Sequence, residues 1–236
     1  HLSLVDEIIL TYNTKPEIQF NYKLNGNYSQ KNKFSYLTHN NFTMNYSPSS
    51  HYNDLFIWSA DTSIFIDKYT ILEAPVTFNP TNIPFQNGSS LFYESFEDQK
   101  LNFGIYSWNG KDWIFQAKSK NNKAKTNLFS GGTYAVLSEN EKPIIKNIIP
   151  SNSGTYKKND LKEITFNCYD LLSGLDYNSI QISIDGIKYY FDFIKYRKLV
   201  RASIPNGLDK GKHILQISAK DNLNNEENIS YNFYIK

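Results

Sequence analysis

Only a few side chains in this sequence are suited to chemistry, and their spacing narrows what they can do. The single cysteine, Cys168, rules out an intrachain disulfide and any cysteine-based metal cluster. It falls on the inward side of an alternating run and reads as a small buried hydrophobe. Gly207-Leu-Asp-Lys-Gly-Lys212 is one residue short of a phosphate-binding loop. His213 stands where a hydroxyl would hold magnesium, and a strand rather than a helix follows, so the segment reads as a tight turn. His213 itself belongs to an inward face, as a corner histidine bonded to backbone. Neither Gly-x-Ser-x-Gly nor Gly-x-Gly-x-x-Gly occurs. Asp170, Asp176, Asp185 and Asp221 all fall at predicted strand corners, where oxygen ligands can hold calcium; Asp is also what turns prefer. Trp58, Trp108 and Trp113 are the rings able to stack on a sugar. Trp108 and Trp113 flank Asn109-Gly110, either as an exposed pair or as a cover over the core of a first domain.

Sheets, rather than helices, must position these groups. Of 236 residues 16% are aromatic, with one Met, and such enrichment favours strands. The length suits two domains. A net charge of +2 with both signs interspersed gives no basic stripe, so nucleic acid is not an expected partner. No apolar run approaches the ~18 residues of a membrane span, and no signal-peptide pattern is present. The chain begins on His rather than Met, which suggests an excised fragment or a processed product.

The clearest architecture runs from Phe166 to Gly186. Ile164, Phe166 and Cys168 alternate with polar neighbours, an acidic Ser-Gly corner follows, and Ile180, Ile182 and Ile184 alternate again before Asp185-Gly186. Period-2 runs of this kind mark half-buried strands. Around them lie Ile144–Ile149, Lys188–Ile194, Leu199–Ile204, the face His213, Leu215, Ile217, Ala219, and the face Ile229, Tyr231, Phe233, Ile235. That is about seven antiparallel strands, the count of an immunoglobulin-like sandwich over residues 143–236. Ser138–Pro143, polar and closed by proline, marks the boundary. Residues 1–138 read as a β-rich sandwich, with 1–58 either part of it or a separate β subdomain. Within that region Leu2, Leu4, Ile8 and Leu10 precede an alternation at Ile18, Phe20, Tyr22 and Leu24. Asn25-Gly26 reads as a hairpin turn, Phe34 to Tyr46 as two short strands, and Ile64–Ile66 as a buried run. Pro75–Pro80 reads as an edge strand, Phe103–Ala117 as a hairpin with a type I′ turn at Asn109-Gly110, Asn121–Thr126 as a solvated loop, and Gly131–Leu137 as a last strand. The fold class is therefore all-β, two β-sandwich domains in tandem.

Residues 143–236 resemble bacterial immunoglobulin-like domains through Lys142-Pro-Ile-Ile145, Asp170-Leu-Leu-Ser-Gly-Leu175, Ile184-Asp-Gly186, Gly211-Lys-His213 and Asp221-Asn-Leu-Asn-Asn225. In the last of these Asn224 replaces the usual glycine. The segment before it, through Asp61–Phe65, Ile105–Trp113 and Gly132–Leu137, resembles the β-rich module that often precedes such a domain. The tandem is similar to the tail of some lysostaphin/LytM-type zinc endopeptidases, which cut peptidoglycan. That family holds zinc with His-x-x-x-Asp and His-x-His. Here His39 is followed by Thr43, His51 by Leu55, and His1 by Ser3, so neither motif is present. His1 to Glu7 then reads as the trailing edge of a peptidase domain, as a decayed one, or, for His1, as a tag remnant. The missing motifs point to a non-catalytic module with no metal and no cofactor, and the resemblance implies a place at the periplasm or surface of a bacterium. Its partner would be another envelope protein, which it positions or presents. The alternative is a peptidoglycan- or other glycan-binding module acting through Trp58, Trp108 and Trp113.

Overall fold

The computed structural model describes residues 25–95 and 102–236, and the chain divides into two compact units at Ser138/Glu139. His1 and the alternations at Leu2–Leu10 and Ile18–Leu24 lie outside the described residues. No α-helix occurs among the described residues.

The first unit is built from β1 (Asn25–Ser29), β2 (Ser35–His39), β3 (Phe42–Tyr46), β4 (Leu55–Asp61), β5 (Thr70–Asn79), β6 (Pro84–Glu94), β7 (Gly104–Trp108), β8 (Trp113–Lys118), β9 (Lys123–Ser130) and β10 (Gly132–Ser138). They form a six-stranded sheet, β1-β4-β5-β10-β7-β8, and a four-stranded sheet, β2-β3-β6-β9. Residues 25–58 contribute to both sheets and so form no subdomain of their own. Between the sheets lies a core of Phe42, Met44, Tyr46, Ile57, Val76, Phe78, Leu91, Ile105 and Val136, all fully buried. A second, smaller core sits on the other face of the six-stranded sheet. There Ile64, Ile66 and Tyr69 pack on Tyr106, Trp113, Ala135 and Leu137.

Several local expectations differ from the structure, the first because of that second core. Ile64–Ile66 belongs to a loop, with Phe65 exposed, because its task is to cover a sheet face rather than to extend one. Pro75 lies in β5, a central strand. The register with β10 slips between Tyr134/Val76 and Val136/Glu73, and proline is tolerated at such an irregularity. Asn25-Gly26 is strand, paired with Ser59 and Trp58. Lys123–Thr126 is strand too: Ala124 faces the core, while its polar neighbours belong to an edge. The β7–β8 connection is a four-residue loop. Only Gly110 has positive φ, and the Asn109 side chain accepts from Lys111 N–H (2.9 Å) and Asp112 N–H (2.7 Å), which replaces the type I′ geometry.

The second unit comprises β11 (Ile144–Ile149), β12 (Thr155–Tyr156), β13 (Glu163–Tyr169), β14 (Leu175–Ile184), β15 (Ile187–Lys188), β16 (Asp192–Ile194), a 3-10 turn at Lys195–Arg197, β17 (Leu199–Ser203), β18 (Gly211–Asp221) and β19 (Glu226–Ile235). The sheets run β11-β13-β17-β16 and β12-β19-β18-β14-β15. These are the A-B-E-D and G-F-C orders of an immunoglobulin sandwich. Two-residue β12 joins in parallel beside β19. Lys188–Ile194 is not one strand: β15 pairs with β14 and β16 with β17, so the chain switches sheets at Tyr189–Phe191. Asp185 and Gly186 both take positive φ, as a two-residue type I′ hairpin needs. Phe166, Cys168, Val200, Ala219 and Phe233 sit at the centre of the core. A fragment from Ser138 to Lys236 is expected to fold alone, because this core is closed within it. A cooperative thermal melt with dispersed amide resonances checks this; a broad melt with collapsed dispersion contradicts it.

Candidate functional site

His39, His51 and Cys168 are each buried or half-buried. His39, at the end of β2, bridges to β4: its Nδ1 lies 2.9 Å from Ser59 Oγ and its Nε2 2.8 Å from Asp61 Oδ1. A hydrolytic triad presents its serine to substrate and buries its acid. Here the order is inverted, for Ser59 is wholly buried and the Asp61 side chain is 80% exposed. His51 is also buried, held by Ser50 Oγ at 2.8 Å and Ser29 Oγ at 3.2 Å. Cys168 is fully buried, and burial pushes its thiol up to about 12, which removes the thiolate at neutral pH.

His213 makes the backbone bond that its corner position suggests: Nε2 lies 2.7 Å from the Asp209 carbonyl, while Nδ1 lies 2.6 Å from Asp185 Oδ2. Burial alone would lower the imidazole pKa, but the Asp185 carboxylate and the Asp209 carbonyl together hold it above the ordinary value. Asp185 therefore belongs to a hairpin clamp, and Asp176 accepts from Asn178 N–H within its own corner.

The other two corner acids converge. Asp170 and Asp221 meet Glu139 with their oxygens within 4.8 Å of one another. Asp170 Oδ1 accepts from Leu172 and Gly174 N–H, and the two Asp221 oxygens accept from the backbone and side-chain nitrogens of Asn225. Glu139 accepts from Glu141 N–H (2.6 Å) and from Ser173 Oγ (3.0 Å). Burial, then the hydrogen bond and charge of Asp221, raise the Glu139 pKa to about 8, so at neutral pH it carries a proton. Such a trio can share that proton or hold a hard cation. Glu139 gave no signal in the sequence, since nothing local to it announces two partners on distant corners.

The tryptophans separate into two settings on one sheet face. Ile57, Val76, Phe78, Ile105 and Val136 point into the main core, so by strand alternation Trp58, Thr77, Trp108 and Thr133 point away from it. Trp113, paired with Trp108, shares that outward side but is 8% exposed. The two rings, tilted at 53° with centroids 5.3 Å apart, belong to the smaller core. Trp113 Nε1 has no hydrogen-bond partner among the described residues. Trp58 is half-buried and stacks on Phe56, with centroids 5.8 Å apart and ring planes 24° apart. Phe56 is 53% exposed, and Tyr28, its cross-strand partner, 55%. Gly26 makes this arrangement possible. A Cβ there would lie 2.7 Å from Phe56 Cζ, so the phenyl ring rests over the Gly26 backbone and turns a face to solvent. Beside the pair, Thr62, Thr77 and Thr133 link their hydroxyls at 2.5 and 2.7 Å. Phe56 was legible in principle: it lies two residues before Trp58 and must share its face. No protein family matches this chain, and no curated protein sequence matches it.

Proposed function

We infer that this chain is a non-catalytic module of a bacterial cell-envelope protein. Its first unit holds a glycan, with peptidoglycan the nearest expectation, on the Phe56–Trp58 face. Its immunoglobulin-like unit positions or presents whatever the module is attached to. The observation that carries the reading is the near-parallel Phe56–Trp58 pair, with the exposed Phe56 ring resting over Gly26 and linked threonine hydroxyls on the same sheet face. Flat aromatic faces attract the apolar faces of sugars, and neighbouring hydroxyls supply polar contacts. The inward-turned serines and histidines support a role without bond cleavage. Stacking on such rings is worth about 1–3 kcal/mol in the nucleic-acid case, and sugars are taken at the low end. Loss of one ring should then weaken binding about five- to tenfold. Trp58→Ala is expected to reduce retention on insoluble peptidoglycan by that factor while leaving the melting temperature nearly unchanged. Trp113→Ala should do the opposite, costing about 3 kcal/mol of stability as a buried ring is lost. Wild-type protein that never associates with peptidoglycan, or equal retention of Trp58→Ala, would remove the glycan role.

A further inference from the structure

The outward face of the β11-β13-β17-β16 sheet carries a second kind of surface. Lys146 Nζ and Lys198 Nζ lie 5.2 and 4.3 Å from the centre of the Tyr169 ring. At the edge of this sheet Lys195 Nζ is 5.7 Å from the ring of Tyr177, which stands on β14 of the other sheet and packs on Phe193, and Arg197 Cζ is 5.3 Å from the ring of Tyr196. All four cationic residues are exposed, and none pairs with a carboxylate among the described residues. Elsewhere on this face the charge is balanced: Arg201 meets Glu163 at 3.3 Å, and Asp192 stands opposite Arg201 in the register. Positive charge is therefore concentrated where the 3-10 turn meets the end of β13.

The patch is also held in shape. Lys198 closes the 3-10 turn in the left-handed conformation at φ 53°, where asparagine or glycine would sit more comfortably. Its carbonyl accepts from Cys168 N–H (2.9 Å) and Asn167 Nδ2 (3.4 Å). The same Asn167 donates to the Arg197 carbonyl (3.1 Å) and accepts from Asn147 Nδ2 (2.9 Å), which ties β11, β13 and the turn together. Resting on the rings, the long cationic side chains have less freedom to lose when an anion arrives.

We propose that this patch binds an acidic polysaccharide. Clustered cations without carboxylate partners complement a chain of regularly spaced anions. Single-stranded nucleic acid would instead stack its bases on ring faces, and over Tyr169, at the centre of the patch, two cations already lie. The site lies in the second unit, and its test does not depend on the aromatic face of the first. The full chain is titrated with polygalacturonate at about 0.05 M salt, where screening is weak. Wild type is expected to bind, to release at about 0.5 M salt, and to ignore neutral dextran. Lys146→Ala/Lys198→Ala and, separately, Lys195→Ala/Arg197→Ala should each weaken binding at least about tenfold. Lys157→Ala/Lys188→Ala, which removes two cations outside the patch, should leave it unchanged. No binding by wild type, equal losses in all three double variants, or tighter binding to a single-stranded oligonucleotide or to anionic phospholipid vesicles would each overturn the proposal.

Discussion

Ile182→Asp is expected to unfold the second unit. Ile182 is 2% exposed at the middle of β14, paired with Ile217 and facing the opposite sheet. Losing its packing costs about 2–5 kcal/mol, and the new carboxylate would have no partner in that core. Together these approach the whole stability of a domain this size, about 5–15 kcal/mol. The strand cannot escape by sliding one residue, because every apolar side chain of β14 would then face water. Ser183→Asp is the matched control. It adds the same charge one residue on, on the outward side beside Gln216 and Lys188, and should change stability by no more than about 0.5 kcal/mol. Denaturant unfolding of both variants checks the pair; an Ile182→Asp protein melting near wild type would contradict the sandwich register.

Stability of the second unit should fall as pH rises from about 5 to 8. Glu139 has an ordinary pKa of 4.5 that burial beside Asp221 raises to about 8. Between those values the folded chain binds a proton that the unfolded chain has released, so unfolding gains with each step up in pH. Integrated from pH 5 to 8, the loss is about 3 kcal/mol, enough to lower the melting temperature on the order of 10 °C. Asp170, raised mainly by burial, acts in the same direction, its share being lost as pH rises from its ordinary value of 3.8. So does His213, whose raised pKa means that its contribution is complete below its ordinary value of 6.5 and is lost above it. Glu139→Gln, which carries no titrating proton, gives up one of the two accepted hydrogen bonds but should flatten most of the decline. Thermal melts across this range measure it. A flat wild-type profile would contradict the shared proton, and a melting temperature raised by millimolar calcium at pH 8 would assign the trio to a cation instead.

The immunoglobulin-like unit was legible because one face of each strand is buried and the other wet. Ile180, Ile182, Ile184 and the series His213 to Ala219 keep strict alternation, and Asp185-Gly186 turns as its residues require. Lys188–Ile194 misled because aromatic residues persist across the switch of sheets. The first unit was harder for one physical cause. Its six-stranded sheet packs on both sides, so Tyr106 and Leu137 are as buried as Phe78, and alternation no longer separates inside from outside. Burial divides the three tryptophans. Trp113 is core, Trp108 leans on it, and the exposed partner of Trp58 is a phenylalanine whose position depends on a glycine one strand away. The carboxylate trio is assembled from three separate corners, and no local pattern encodes that meeting.

The glycan-face claim is tested most directly by the indole resonances. The chain has three tryptophans, each contributing one indole N–H signal. On titration with soluble peptidoglycan fragments, the Trp58 signal should shift progressively and saturate, while that of buried Trp113 stays in place. In Gly26→Ala, whose added methyl drives the Phe56 ring off the sheet, the Trp58 shift should weaken without loss of fold. No movement of the Trp58 indole at saturating fragment, or a shift confined to Trp108 and Trp113, would contradict the account.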